Sequence, residues 1–231
     1  MKNKIGKALF VALGVLMLHS CELDNYDGPN ATISGRIIDR ETGELIQQDI
    51  INGTQIEYTE HGYEDPAFQY MIFKADGTYT NNLMFAGDYT MQVKRGNCIE
   101  TEPVEITVNG NTVYDFEVTP YLRIKELHIE REGDDKLVAH FHVQQTTNDI
   151  VVNMGLYAHL NPQAGQPMSD ARVEWTPNMK LDETIDYTLT LNLSEWSHVL
   201  KAGSEYYFRV GAVVNAPEAK YNYAAPIRIK I

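Results

Sequence analysis

Cysteine is almost absent from this 231-residue chain, which has only Cys21 and Cys98. A disulfide framework is therefore excluded, and the fold must rest on a packed apolar core. Basic side chains are scarce, with 19 Lys and Arg against 32 Asp and Glu, a formal net charge of −13. Nucleic acid is excluded as a partner, because a phosphate backbone needs a basic stripe that releases its counterions. No apolar run is long enough to span a bilayer as a helix. Catalytic signatures are missing too. There is no G-x-S-x-G or S-x-x-K for a serine nucleophile, no P-loop or G-x-G-x-x-G for phosphates, and no H-E-x-x-H for zinc. The chain is expected to be no enzyme and to need no metal or other cofactor. What remains is an ordinary globular mix, 43% hydrophobic and 22% charged.

The first twenty residues stand apart. Lys2, Lys4 and Lys7 make a positive start, and Ala8 to Leu18 is an apolar core too short for a membrane span. Leu18-His19-Ser20-Cys21 follows, with an apolar residue three before the cysteine and a small one directly before it. This reads as a lipoprotein signal peptide over 1–20, with lipid attached to Cys21. Cys98 then has no intrachain partner. The segment 21–29 carries Glu22, Asp24 and Asp27 and reads as an acidic tether. Its charge disfavours electrostatic docking on anionic headgroups, so acyl chains must hold the protein to the membrane.

Beyond the tether the hydrophobic period is two. Tyr89, Met91 and Val93 alternate with polar residues, as do Val104, Ile106 and Val108, and then Tyr114, Phe116 and Val118. Turn pairs separate these runs, among them Thr42-Gly43, Asp76-Gly77 and Asn109-Gly110. The pattern repeats after residue 121, in Leu137 to Val143, Met154 to Ala158, Leu189 to Leu193 and Tyr206 to Ala212. The expected fold is all-β, two tandem antiparallel sandwiches over 30–120 and 121–231. A short stiff join lies at Thr119-Pro120-Tyr121. The lone helix candidate is Ser194 to Leu200, with Ser194 as its N-cap.

Three resemblances add to this reading. Ser34-Gly35-Arg36-Ile37-Ile38-Asp39 with Thr42-Gly43-Glu44, Ala75-Asp76-Gly77-Thr78-Tyr79 and Ala86-Gly87-Asp88-Tyr89-Thr90 resembles the transthyretin-like (carboxypeptidase-regulatory-like) sandwich. Leu200-Lys201-Ala202-Gly203-Ser204-Glu205-Tyr206 resembles the corner of fibronectin III and immunoglobulin-like sandwiches. That match implies that the Tyr206 hydroxyl bonds upstream backbone, with Phe141 in place of the usual core tryptophan. Lys74 to Asn81, Leu83 to Gly87 and Phe116 to Ile124, together with Asp24 to Thr32, are similar to two-domain lipoproteins that accompany SusC/SusD-type glycan-uptake pairs in Bacteroidota. The resemblance implies an outer-membrane location, and the acidic mature start resembles the surface-export signal of such lipoproteins. A SusC/SusD-type transporter complex is then the expected partner, and a polysaccharide or oligosaccharide the expected ligand.

Sugar rings stack on aromatic faces, so aromatics outside the core are the lead for a site. Trp175 lies in the long connection 161–184. Tyr157 falls on the face opposite Met154, Leu156 and Ala158, and Tyr221 and Tyr223 sit in the polar hairpin 215–223. These four are the candidate glycan-binding residues, although Trp175 could equally pin its loop and the tyrosines could be ordinary strand residues. His140 and His142 share a strand face about 7 Å apart, but without a third ligand they read as solvated polar residues. Glu60, Glu64 and Asp65 read as a solvated acidic loop, with calcium the less favoured reading. Cys98 reads as a small apolar residue at a strand end. Two further functional readings stay open: a structural docking subunit with no ligand of its own, and an exported hydrolase.

Overall fold

The computed structural model describes residues 27–231; the leader and Cys21 lie outside the described residues. The chain is all-β. The first sandwich comprises β1 (Ala31–Asp39), β2 (Gln55–Glu60), β3 (Gln69–Ile72), β4 (Thr78–Met84), β5 (Gly87–Lys94), β6 (Val104–Val108), β7 (Asn111–Val113) and β8 (Phe116–Val118). One sheet runs β4-β1-β7, with β8 continuing beside β1, and the other runs β3-β2-β5-β6. The alternating residues of each strand meet between the sheets. Ile33, Ile37, Tyr79 and Phe116 face Ile56, Met91, Val93 and Val108, all buried.

The second sandwich comprises β9 (Leu122–Glu132), β10 (Lys136–Gln145), β11 (Val151–His159), β12 (Ala171–Trp175), β13 (Tyr187–Asn192), β14 (Glu205–Val214), β15 (Asn222–Tyr223) and β16 (Ile227–Lys230). Its sheets run β13-β10-β9 and β12-β11-β14, with β15 and β16 both pairing β14. Phe141, Leu156, Phe208 and Val210 fill its core. Among the described residues no helix is long and apolar enough to cross a membrane.

The Tyr206 corner forms. Its hydroxyl donates to the Val199 carbonyl at 2.9 Å and accepts from the Lys201 amide at 2.9 Å. Tyr206→Phe removes both partners from a nearly buried position, so it is expected to cost about 1–3 kcal/mol. Urea denaturation would read this as a lower midpoint with unchanged slope. The helix expected over Ser194 to Leu200 does not form, and the segment is a series of turns. Its start is held by Asp135, whose main chain accepts from the Leu193 amide and whose carboxylate accepts from Ser194. Its end is held by the Tyr206 corner. Seven residues between two fixed points leave no length for a propagating helix.

The sandwiches meet through a buried polar joint. Asn97, fully buried, accepts on its side-chain oxygen from Gln48 (3.1 Å) and Thr54 (2.9 Å). Its amide nitrogen donates to the carbonyls of Gln47 and Tyr221. The Asn97 carbonyl accepts from the Asn222 side chain and the Tyr121 amide. At the rim, Arg123 pairs with Asp39 and Glu41. Burial pushes the Asp39 carboxyl up, but the Arg123 hydrogen bonds and the Glu41 amide more than offset this and hold it below the usual carboxylate range.

Candidate functional site

Three of the four aromatic candidates from the sequence belong to the joint between the sandwiches. Tyr157 is fully buried and Tyr223 is 6% exposed, so neither offers a ring face to a sugar. Tyr221 is half-buried beside them. The rings of Tyr221 and Tyr223 stack at 5.7 Å, and Tyr157 meets each edge-on at 6.2 and 6.3 Å. Tyr157 donates to Glu174 at 2.9 Å, and Tyr223 donates to Asp49 of the first sandwich at 3.1 Å. Burial pushes both phenols well above the usual tyrosine range.

Arg209 closes this cluster. It lies 1% exposed on the outer face of β14, with its guanidinium 4.3 Å from the Tyr223 ring centre. Its nitrogens donate to the carbonyls of Ala224 (2.8 Å), Gln48 (3.0 Å) and Ala164 (3.3 Å). Burial brings its pKa down to about 10, which still leaves it charged at neutral pH. Glycines on the strands let two of the rings come close to the backbone. A Cβ at Gly211 would fall 2.4 Å from the Tyr223 ring, and one at Gly155 2.6 Å from Tyr157.

Trp175 keeps more exposure, at 38%. It ends the edge strand β12 opposite Met154, and its ring lies 6.1 Å from Tyr187 on the other sheet's edge strand. One side closes the open edge of the sandwich and the remainder faces water. The polar candidates sit on surfaces. His140 bonds Asp186 at 3.0 Å and stacks on His128 at 4.8 Å, while His142 lies 3.6 Å from Glu126. Among the described residues no group of three His, Cys, Asp or Glu is placed to hold a metal. Glu64 and Asp65 are exposed in the connection between β2 and β3. Cys98 is buried in the first core, where desolvation pushes its thiol up to about 12 and leaves no thiolate to react.

A different aromatic surface is open. Phe68, Tyr70 and Ile72 alternate with Met71, which points into the core, and all three are exposed. Tyr70 and Ile72 lie on β3, an edge strand, with Phe68 just before it, and Tyr70 is 46% exposed. Opposite Tyr70 on β2 lies Glu57, which accepts from the Tyr70 hydroxyl (3.1 Å) and from Lys94 (2.8 Å). The hydrogen bond from Lys94 does most to hold the Glu57 carboxyl below its usual range; partial burial opposes it and Tyr70 adds to it. Arg95 lies 6.0 Å from the Tyr70 ring centre and pairs with Glu218 of the second sandwich at 3.4 Å. Two cations and two carboxylates thus lie around one ring held by its hydroxyl on a sheet face. This patch was visible in sequence only as Phe68, Tyr70 and Ile72, an apolar face alternating with Gln69 and Met71. A recess of about 760 Å³ elsewhere in the first sandwich is lined by Glu100, Glu102 and Glu117. Its Tyr114 packs edge-on against Phe116 at 5.0 Å.

Among curated proteins none matches this chain. Several solved structures do. A "putative carbohydrate binding protein" of Bacteroides uniformis is 31% identical, covering 88% of this chain and 100% of its own, with a TM-score of 0.78. A DUF3823 family protein of Parabacteroides merdae is 22% identical over 88% of this chain and 100% of its own, TM-score 0.75. Another from Bacteroides ovatus is 22% identical over 87% and 98%, TM-score 0.73. Residues 31–119 match the N-terminal domain of a protein of unknown function, DUF3823, and residues 122–228 match the DUF3823 C-terminal domain of unknown function. With both of its sandwiches matched, the chain belongs to the DUF3823 family.

Proposed function

We propose that this protein is a lipid-anchored, outward-facing outer-membrane lipoprotein that binds a glycan beside a SusC/SusD-type transporter and does not convert it. The anchor is Cys21. The observation that carries the glycan reading is Tyr70, a half-exposed ring locked by its own hydroxyl onto the Glu57 carboxylate. A ring so fixed stacks on a sugar with little further loss of conformational freedom. Lys94, Arg95 and Glu57 border it with groups that hydrogen-bond hydroxyls. The charges balance, which suits a neutral sugar. The description of the Bacteroides uniformis neighbour supports the same reading. Trp175, the most exposed of the four sequence candidates, is a second contact on the other sandwich.

A glycan array probed with residues 22–231 tests this. Tyr70→Ala is expected to weaken retention on the bound glycan about tenfold or more, with the melting temperature little changed. Trp175→Ala assigns the second contact in the same assay. Silence across all polysaccharides would overturn the ligand. A specific observation favours docking as the second reading: Phe68 and Ile72 make the rest of the β3 face apolar. Docking predicts co-purification with the transporter after mild detergent extraction, lost on Ile72→Asp.

A further inference from the structure

The strand register gives the first sandwich two distinct ends. β1 starts at Ala31, paired with Met84, and ends at Asp39, which binds Arg123 of the second sandwich. The Ala31 end is therefore the pole away from the second sandwich, about 26 Å from the joint by strand rise. The other strands place their turns there consistently. Gly87 pairs with Val108, and Glu60 with Tyr89. The Asn30 amide donates to Met84, its side chain accepts from Ala86, and the Thr32 amide donates to Gly110.

This pole exposes apolar side chains. Leu83 is 75% exposed and Phe85 41% at the β4–β5 turn, and Tyr63 is 64% exposed in the neighbouring β2–β3 connection. The three segments that meet at the start of β1, residues 28–35, 77–87 and 106–114, contain no charged residue at all in a chain of 19 bases and 32 acids. Acids do flank the pole, namely Asp27, Asp88 and, beside Tyr63, Glu60, Glu64 and Asp65.

We infer that the Leu83–Phe85 turn, with Tyr63 beside it, rests in the interfacial layer of the membrane and fixes this pole downward. The inference rests on the Cys21 anchor proposed above. Nine residues, 22–30, separate the anchor from β1, a length of chain that reaches about 30 Å at most. The tether thus leaves the molecule at the uncharged apolar pole and holds it within reach of the lipid. Leucine and aromatic side chains are those that partition into the interface. Each contact alone is weak, but the tether makes it intramolecular and raises its effective concentration. The flanking acids make the preferred surface a weakly charged one. The second sandwich then points away from the membrane.

The test couples residues 21–231 through Cys21 to a maleimide lipid in phosphatidylcholine vesicles; Cys98, buried, does not react. Hydrogen exchange at 83–87 is compared with the same chain coupled to soluble maleimide-polyethylene glycol. Exchange on the vesicle is expected to slow about fivefold or more there and to stay unchanged at the 133–135 turn. The protection should shrink with phosphatidylglycerol and vanish in Leu83→Asp/Phe85→Asp, whose exposed positions leave the fold intact. Equal exchange on vesicle and polymer would overturn the inference alone. Absence of labelled fatty acid on Cys21 in the producing cell would overturn the anchor, and the inference with it.

Discussion

Replacing Arg209 with leucine is expected to lower the stability of the chain by about 3–5 kcal/mol, and to turn one cooperative melting transition into two. The guanidinium reaches carbonyls on three segments, at Ala224, Ala164 and Gln48, and the last belongs to the other sandwich. Swapping a buried ion pair for apolar side chains is often neutral, because both charges leave together. Here the partners are main-chain carbonyls that no side-chain substitution removes. Leucine would strand them out of water, at about 1–3 kcal/mol each where no water enters. It would also forfeit the cation over the Tyr223 ring. Differential scanning calorimetry reads the result as a fall on the order of 10 °C. A single transition within 2 °C of the parent would show that the joint does not depend on this residue.

Gly211→Val is the second large effect, expected at about 2–4 kcal/mol. The added Cβ lies 2.4 Å from one carbon of the Tyr223 ring and 2.5 Å from another, well inside contact distance. The ring cannot retreat. Arg209 and Tyr221 pack against it, and its hydroxyl holds Asp49 and the Gln166 amide. Displacing it breaks the same joint from the other side, so Gly211→Val and Arg209→Leu combined should cost less than their sum. Gly87→Ala is the control. Its Cβ meets nothing closer than 4.0 Å, so the urea midpoint should barely move.

The strands were legible in the sequence because one face of each meets a core and the other meets something polar. Alternation gave the orientation of Tyr157 correctly, opposite Met154 and Leu156. It could not say what lay on the outer side. The outer face of β11 and β14 is covered by the hairpin that carries Tyr221 and Tyr223 and by Gln48 and Asp49 of the other sandwich. A covered outer face and a wet one have the same period. A second signal was present in composition, since Gly155 and Gly211 interrupt apolar strands, and a glycine there marks a close approach. Arg209 breaks its run in the same way. The Tyr70 patch was hidden for the opposite reason. Phe68, Tyr70 and Ile72 are the more apolar face of their run, yet Met71 on the other face is the residue that is buried, and the apolar face is left bare on edge strand β3.

The joint between the sandwiches has one property that side-chain lists conceal. Five of its acceptors are main-chain atoms, the carbonyls of Gln47, Gln48, Ala164, Tyr221 and Ala224, and Asn97 and Arg209 supply the donors to them. Any residue carries a carbonyl. For these five bonds the side chain at the accepting position is free to vary, provided the donors stay in place. A lineage built this way can rewrite its outer surfaces for new tasks and still inherit the angle between its halves unchanged.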